Sequence, residues 1–440
     1  MRGTTPPLAL CLLAACSAPK PAAQVGPATT TPVQLPPQKA SDPCPGTHPA
    51  KQNQWVPMST ENAPVNVDGP SRYSFWTGRV MIVADRKFAR ADNALYDPCS
   101  DTWTPMSPAA KKHPGLAGTV LSQWVGDRLV LWSRPSKSSK LPWIVLDYDP
   151  AADTWSDSTV PTALPPVTVV GRQLLIFEKQ AKFHEYDTAR IHDIETGKTV
   201  DVASSGAPAA RFGAVEAVLD GSRYLVWGGT ESGSHVGTGA ILDLEKNAWT
   251  PMSTKNAPSA RSMASHHWTG SKLVVWGSLA YMDAGGAIYD PEKDTWTPMS
   301  NDGMPEPRTY YLTALSGDRF VVMGGYSAAN KTIDYGYDAG VYDLSSDSWT
   351  PFKMPVNVDQ SWSALHVLDD GRIVVRHRDL QWMQVFDPVT FSWTEIDVSS
   401  VGPRGHANIA FTGMRLIVWG GLRLTQLIPN PCVNVPPNQG

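Results

Sequence analysis

The 440-residue sequence carries a formal net charge of -4, from 37 Lys and Arg against 41 Asp and Glu. Because the basic residues are spread along the chain, the charge pattern lacks the footprint of a nucleic-acid-binding protein, and we expect no nucleic-acid partner. The 17 tryptophans and a hydrophobic content of 42% supply enough apolar surface for a large core, since a buried indole removes roughly 150–250 Å² from water.

The first fifteen residues have the pattern of a secretory signal peptide. Arg2 precedes the apolar run 8–15, which is too short to span a bilayer. Residues 13–16, Leu-Ala-Ala-Cys, resemble the lipobox of bacterial lipoproteins, which implies cleavage before Cys16 and lipidation of that cysteine. Ser17 follows, where Asp would favour retention in the inner membrane, so the resemblance implies an outer-membrane lipoprotein facing the periplasm or the cell surface. A plain secretory signal is the alternative.

The next segment has a composition that cannot form a core. Residues 17–52 contain nine prolines, many alanines and threonines, and no aromatic residue, so they bury too little apolar surface to fold. We therefore expect a signal peptide at 1–15, a lipid-anchored disordered tether at 16–52 and one folded domain at 53–440.

The rest of the chain is a repeat. Eight glycines mark the turn between the first and second predicted strands of successive units, and each is soon followed by an apolar run. They are Gly78, Gly126, Gly171, Gly221, Gly270, Gly317, Gly371 and Gly413. From first to last they span 413 - 78 = 335 residues in seven intervals, or about 48 residues each. Continuous apolar runs are typical of strands that are covered on both faces.

A second marker recurs in the same units. An Asp is followed six residues later by a Trp in the pairs 97/103, 149/155, 243/249, 290/296, 343/349 and 387/393. Asp193 and Thr199 keep this spacing without the indole. Asp accepts hydrogen bonds from backbone groups two residues on, so it predicts a hairpin turn between a third and a fourth strand. We expect the indoles to lie in the interior, packed against the next sheet.

Together these features resemble kelch-repeat proteins, whose units are the blades of a β-propeller. The double glycine that this family carries after its second strand is matched by Gly228-Gly229, Gly324-Gly325 and Gly420-Gly421, and the resemblance covers about 54–424. It implies an all-β, kelch-type β-propeller. The eight turn glycines predict eight blades, with seven as the alternative, because no Asp-marked hairpin follows Gly421.

One strand is displaced to the start of this region. Residues 54–59, Gln-Trp-Val-Pro-Met-Ser, match the last strand of a unit but have no earlier strands before them. The kelch family closes its ring with such a strand, which implies that 54–59 pairs with the C-terminal strands within 406–419. Closure removes the exposed sheet edges that would otherwise aggregate.

The cysteines bear on the same junction. Lipidation of Cys16 and loss of the signal peptide leave Cys44, Cys99 and Cys432, which allow three single pairings. The implied ring closure favours a Cys44–Cys432 disulfide and leaves Cys99 free.

An arginine stands just before the first strand of five units: Arg72, Arg211, Arg261, Arg308 and Arg404. In the kelch family the loops before the first strand and after the second form one ligand-binding face. The resemblance therefore implies that these arginines bind an anionic ligand, for which a guanidinium is well suited. The alternative, that they pair with local carbonyls or carboxylates and fix the blade junctions, stays open.

Catalytic and metal-binding motifs are not visible. The ten histidines show no metal-ligand spacing, and we expect no metal and no cofactor. Glu178 and Glu231 follow second strands, as acid or base groups do in periplasmic sialate mutarotases, which also use kelch blades. The sequence therefore predicts a monomeric, non-catalytic, membrane-anchored binding scaffold for a protein or glycan ligand, with a sugar-modifying enzyme as the alternative.

Overall fold

The computed structural model describes residues 55–64, 72–85, 88, 93–109, 121–125, 127–133, 143–160, 167–179, 186–278, 285–327, 334–335, 338–355, 358, 363–378, 380–402, 404–405, 408–411, 416–420 and 422–423. All of them lie in the unit Val33–Gly440. The described residues include no helix that could span a bilayer.

Within the described residues, seven antiparallel sheets of four strands each form the blades. Blade 1 contains β1 (Arg72–Trp76), β2 (Met81–Asp85), β3 (Ala94–Asp97) and β4 (Thr102–Pro105); blade 2 contains β5 (Leu121–Val125), β6 (Arg128–Ser133), β7 (Trp143–Asp149) and β8 (Thr154–Val160); blade 3 contains β9 (Val167–Val170), β10 (Gln173–Lys179), β11 (Tyr186–Asp193) and β12 (Thr199–Asp201). Blade 4 contains β13 (Val215–Val218), β14 (Arg223–Trp227), β17 (Gly239–Asp243) and β18 (Ala248–Pro251), with the hairpin β15 (Thr230–Glu231) and β16 (Ser234–His235) between its second and third strands.

Blade 5 contains β19 (Ser265–Trp268), β20 (Leu273–Trp276), β21 (Gly286–Asp290) and β22 (Thr295–Pro298); blade 6 contains β23 (Leu312–Ser316), β24 (Arg319–Met323), β27 (Asp338–Asp343) and β28 (Ser348–Lys353), with the hairpin β25 (Tyr326–Ser327) and β26 (Asp334–Tyr335). Blade 7 contains β29 (Ser363–Val367), β30 (Ile373–His377), β31 (Met383–Phe386) and β32 (Trp393–Glu395).

The expectation of eight blades is not supported, and the alternative of seven is what the structure shows. After blade 7, the described residues form only β33 (Arg404–Gly405) paired with β36 (Leu422–Arg423), and β34 (Asn408–Phe411) paired with β35 (Leu416–Trp419). The expected closure by strand pairing is not supported either, since residues 55–60 form no strand. The sequence of the last unit lacks an Asp-marked hairpin, and its described residues contain no third and fourth strands of the blade type.

Burial of the second strands confirms that they are covered on both faces. In β20, Leu273 and Val275 pack with residues of blade 4, whereas Val274 and Trp276 pack with residues of blade 6. Successive side chains of a strand point to opposite faces. A continuous apolar run is therefore required wherever a sheet lies between two others.

A recurring hydrogen-bond set joins neighbouring units through the Trp and a second Asp, which stands two residues before it. Trp296 donates its indole N–H to the carbonyl of Ser253 in the preceding blade, at 2.9 Å. Asp294, in the left-handed region with φ of 50°, accepts from the backbone N–H of Ser253 at 2.8 Å and from the hydroxyl of Tyr289 at 2.7 Å. The same set recurs at Trp103, Asp101, Ser59 and Tyr96; at Trp155, Asp153, Ser107 and Tyr148; and at Trp349, Asp347, Ser300 and Tyr342.

These indoles lie between blades, as expected, although the sheet that receives them is the preceding one. Trp103, Trp296 and Trp349 are 3–7% exposed, and the other three are partly buried. The hairpin that carries each Trp turns its ring back towards the previous blade. For Trp103, Trp155, Trp296 and Trp349, the Ser carbonyl there is the acceptor that the indole N–H needs once it leaves water. The indole N–H groups of Trp249 and Trp393 are buried without a hydrogen-bond partner among the described residues.

The segment 55–64 contacts two different blades. Trp55 donates its indole N–H to the carbonyl of Asp397, which follows blade 7, at 2.6 Å. Trp103 of blade 1 donates to the carbonyl of Ser59 at 2.9 Å. Trp103 also lies with its ring centroid 4.7 Å from that of Trp419 on β35.

The expectation that Cys99 is a free thiol is wrong, because Cys99 is disulfide-bonded. The four other cysteines all lie outside the described residues, and so does the expected Cys44–Cys432 pair. If Cys16 carries a lipid and Cys11 leaves with the signal peptide, the partner of Cys99 must be Cys44 or Cys432. In that case the expected pair cannot form.

Candidate binding face

Three of the predicted arginines lie inside the loops of blades 4, 5 and 6. Arg211, Arg261 and Arg308 are 7%, 3% and 2% exposed. Each donates through Nε to the carbonyl two residues before it, and through Nη1 to two carbonyls around the loop after the second strand. The acceptors are Ala209, Gly228 and Thr238 for Arg211; Ser259, Gly277 and Gly285 for Arg261; and Glu306, Gly324 and Asp338 for Arg308, all at 2.8–3.3 Å.

These bonds tie together the two loops that form this face in each blade. A buried guanidinium is costly unless its donors are satisfied, and backbone carbonyls satisfy them here. The placement favours the alternative that the sequence left open, in which the arginines are structural. Arg72 and Arg404 begin β1 and β33; their side chains lie outside the described residues, so their ligand contacts stay a prediction.

The double glycine links this network to the next blade. Gly229 donates its N–H to the carbonyl of Arg261 at 2.8 Å, and Gly325 donates to the carbonyl of Val358 at 2.9 Å. A Cβ on Gly324 would lie 1.6 Å from the Val358 oxygen. A side chain at this position would therefore separate the two loops.

The residue two positions after each arginine has a left-handed backbone. Gly213, Met263 and Tyr310 have φ of 65°, 53° and 57°. For a residue other than glycine this conformation costs roughly 1–2 kcal/mol, and non-glycine residues keep it where the surrounding structure fixes it. Tyr310 is 45% exposed. The buried arginine network therefore holds an aromatic ring at the surface of this face.

Of the two glutamates considered as acid or base groups, the structure describes the side chain of Glu231 but not that of Glu178. Glu231 lies in β15, and its Oε2 is 3.5 Å from Nη2 of Arg211. Burial lowers the pKa of Arg211, and the negative charge of Glu231 opposes that shift. The side chain of Glu178 lies outside the described residues.

Sequence reasoning missed a set of buried polar contacts on the first strands of blades 4 to 6. The hydroxyl of Tyr224 donates to Glu216 at 2.7 Å, and Nε2 of His267 lies 2.9 Å from Oγ1 of Thr313. Burial raises the pKa of Glu216, against the opposing hydrogen bond from Tyr224. Burial, with the neighbouring His266, lowers the pKa of His267 to about 3. The polar residues within these first strands, Glu216 on β13, His267 on β19 and Thr313 on β23, were the available signal.

Blade 7 has a similar contact between its first two strands. Arg376 donates through Nε to Nε2 of His366 at 3.2 Å. Burial and the Arg376 charge lower the pKa of His366 to about 3, so this ring is neutral at physiological pH and Nε2 acts as the acceptor.

Aromatic residues and histidines that lie close to these arginines in the sequence have separate locations. Tyr311 is 1% exposed and donates its hydroxyl to the carbonyl of Trp276 at 3.2 Å, so it belongs to the core. Burial lowers the pKa of His266. Trp362 and His406 lie outside the described residues. In the part of the chain that the structure describes, no three His, Cys, Asp or Glu side chains lie close enough to hold a metal ion.

Comparison with known families agrees with this architecture. Residues 166–375 match the family model of the KLHDC2/KLHL20/DRC7 Kelch-repeats domain. No curated protein matches the chain. The matched residues begin just before β9 of blade 3 and end within β30 of blade 7. Residues 166–375 therefore contain kelch repeats, and the described fold is a β-propeller.

Proposed function

We propose that the protein is a monomeric, non-catalytic scaffold that recognises a protein ligand through the face formed by the arginine-fixed loops of blades 4 to 6. The observation that carries the proposal is the exposed Tyr310 ring on a loop whose backbone is held by buried Arg308. Tyrosine is enriched among residues that dominate binding energy. A loop that is already ordered loses less conformational entropy when a ligand binds.

The test measures the binding of envelope proteins and of a glycan array to the purified domain. Three forms of the domain are compared: wild type, Tyr310→Ala and Val389→Ala. Val389 is 63% exposed in the turn between β31 and β32 and serves as the matched control. We expect a purified protein ligand to lose at least about tenfold in affinity with Tyr310→Ala only, as for a hot-spot residue. Equal affinity of all three forms would place recognition elsewhere, and binding to glycans alone would replace the protein ligand.

We further propose that the domain is exported and anchored to the outer membrane through Cys16, with 16–52 as the tether. The Leu-Ala-Ala-Cys motif and the proline-rich composition support this. Cys16→Ser should move the protein from the membrane fraction to the soluble fraction and abolish labelling by a fatty-acid probe. A wild type that is soluble and unlabelled would contradict the anchor.

We also propose that 55–64 joins blade 7 to blade 1 and closes the ring together with β34 and β35. The contact of Trp55 with Asp397 supports this, since it matches the contact of Trp103 with Ser59. Trp55 also packs in one cluster with Val385 of blade 7 and Leu416 of β35.

A further inference from the structure

Six junctions between consecutive units share one apolar contact. The residue two positions before the Asp that begins the hairpin turn is apolar, and it packs in the same cluster as the Trp of the unit that follows it. The pairs are Leu95 with Trp155, Ile191 with Trp249, Ile241 with Trp296, Ile288 with Trp349, Val341 with Trp393, and Val385 with Trp55. An aliphatic side chain and an indole thus occupy the same place in each junction.

The junction between blades 2 and 3 departs from this rule on both sides. Asp147 of blade 2 occupies the aliphatic position, and Thr199 of blade 3 occupies the Trp position. Gly197 stands where most other hairpins carry the Asp or Asn that bonds the preceding blade. Thr199 bonds instead to Nδ1 of His192 in its own blade, at 2.9 Å. This junction therefore lacks the indole and has a carboxylate in place of the aliphatic side chain.

A cavity of about 250 Å³ lies at this junction. It is lined by Val145, Asp147, Ser156 and Asp157 of blade 2, and by the turn 194–197 of blade 3. The side chain of Asp147 is only 13% exposed. Its Oδ1 is buried with no hydrogen-bond partner, while its Oδ2 lies 3.6 Å from Nη1 of Arg128. A buried carboxylate oxygen without a donor is costly, so a donor that enters the cavity would be stabilising.

We propose that this cavity binds an aliphatic ammonium group, with Asp147 as its main acceptor. Asp157 adds a second carboxylate, while Val145 of blade 2 and Ile194 of blade 3 give the cavity an apolar wall that suits a short methylene chain. An ammonium is a compact cation with three N–H donors. It can therefore satisfy the unpartnered oxygen and an additional acceptor at once. The ammonium can come from a free amine or from the lysine side chain of a partner.

Calorimetric titration of the purified propeller with n-butylammonium tests the site, with butan-1-ol and butyrate as the neutral and anionic probes. We expect saturable binding of butylammonium alone, weakened at least about tenfold in Asp147→Asn, because a charged hydrogen bond is lost. Asp201→Asn is the control, since Asp201 is exposed on β12 and outside the cavity lining. No saturable binding, equal binding of butan-1-ol, or unchanged binding in Asp147→Asn would overturn the proposal.

A second variant restores the contact found at the other junctions. The double substitution Asp147→Ile with Thr199→Trp should fill the cavity and abolish butylammonium binding while circular dichroism shows a folded protein. Retained binding in that variant would also overturn the site. Titration with Nα-acetyl-lysine methylamide distinguishes the sources: tighter binding than butylammonium indicates a partner's lysine, and weaker binding indicates a free amine.

Discussion

Trp296 donates its indole N–H to the carbonyl of Ser253, 43 residues earlier in the chain, and this bond crosses from one blade to the preceding one. The backbone N–H of the same Ser253 donates to Oδ1 of Asp294 at 2.8 Å. One residue of blade 4 is therefore held at both its donor and its acceptor by the outer hairpin of blade 5. Neighbouring blades are thus coupled by directional bonds as well as by apolar packing.

Trp296→Ala should lower the free energy of unfolding by roughly 3–5 kcal/mol, because it creates a cavity between blades and leaves the Ser253 carbonyl without its donor. Urea denaturation measures the change. Trp296→Phe keeps most of the apolar contact and should cost less than Trp296→Ala. An unchanged melting temperature in the alanine variant would show that this indole is not structural.

Much of this architecture could be predicted from the sequence, because strand coverage and turn chemistry are local. The apolar run at β20 and the Asp that begins each hairpin gave the correct strands. The sequence could not predict the direction in which the indoles pack or the burial of Arg308, since both depend on how one loop lies against another. The sequence shows that Asp147 replaces the usual aliphatic residue. The consequence is clear only from the structure, because Thr199, 52 residues later, stands at the Trp position of the same junction.

The buried histidines predict a loss of stability at acid pH. Burial lowers the pKa of His267 and His366 to about 3 in the folded protein, whereas in the unfolded chain both titrate near 6.5. The unfolded state therefore binds these protons first, and the free energy of unfolding falls as pH drops from about 6.5 towards 3. Glu216, whose pKa is raised by burial, acts in the opposite direction.

The contribution of the histidines is isolated by comparing urea midpoints of wild type and the double variant His267→Gln, His366→Gln at pH 8 and pH 5. Glutamine can make hydrogen bonds but does not titrate. The wild type should lose more stability between the two pH values than the variant does. Equal losses would mean that the two rings remain protonatable in the folded state.

Replacing Arg261 and Arg308 with alanine distinguishes a structural role from a ligand contact. Each substitution removes the donor to three backbone carbonyls, and an unsatisfied buried group costs about 1–3 kcal/mol. We expect a loss of several kcal/mol in stability, and any loss of affinity for a protein ligand should accompany it, because the loop that carries Tyr310 is then less ordered. Lost affinity at unchanged stability would instead identify the guanidiniums as ligand contacts.

Trp55→Ala tests whether 55–64 joins blade 7 to blade 1. Loss of its indole removes the bond to the Asp397 carbonyl and the packing against Val385 and Leu416, so we expect a lower melting temperature. Hydrogen exchange should rise in both β31 and β35. Val56→Ala is the matched control, because Val56 is 59% exposed beside it. Equal melting temperatures of the two variants would contradict the proposal.

The disulfide of Cys99 decides how the chain preceding the propeller is attached to it. Cys99 lies in the β3–β4 turn, whose Asp101 accepts the N–H of Ser59 at 2.8 Å, so the chain that leads from Cys44 to the propeller arrives beside this turn. We therefore expect non-reducing peptide mapping of exported protein to yield a Cys44–Cys99 peptide. Reduction, or Cys99→Ser, should lower the melting temperature, since a disulfide typically contributes about 2–4 kcal/mol. A Cys99–Cys432 peptide would tie the turn to the C-terminus instead, and a Cys44–Cys432 peptide with free Cys99 would restore the pairing that the sequence alone had favoured.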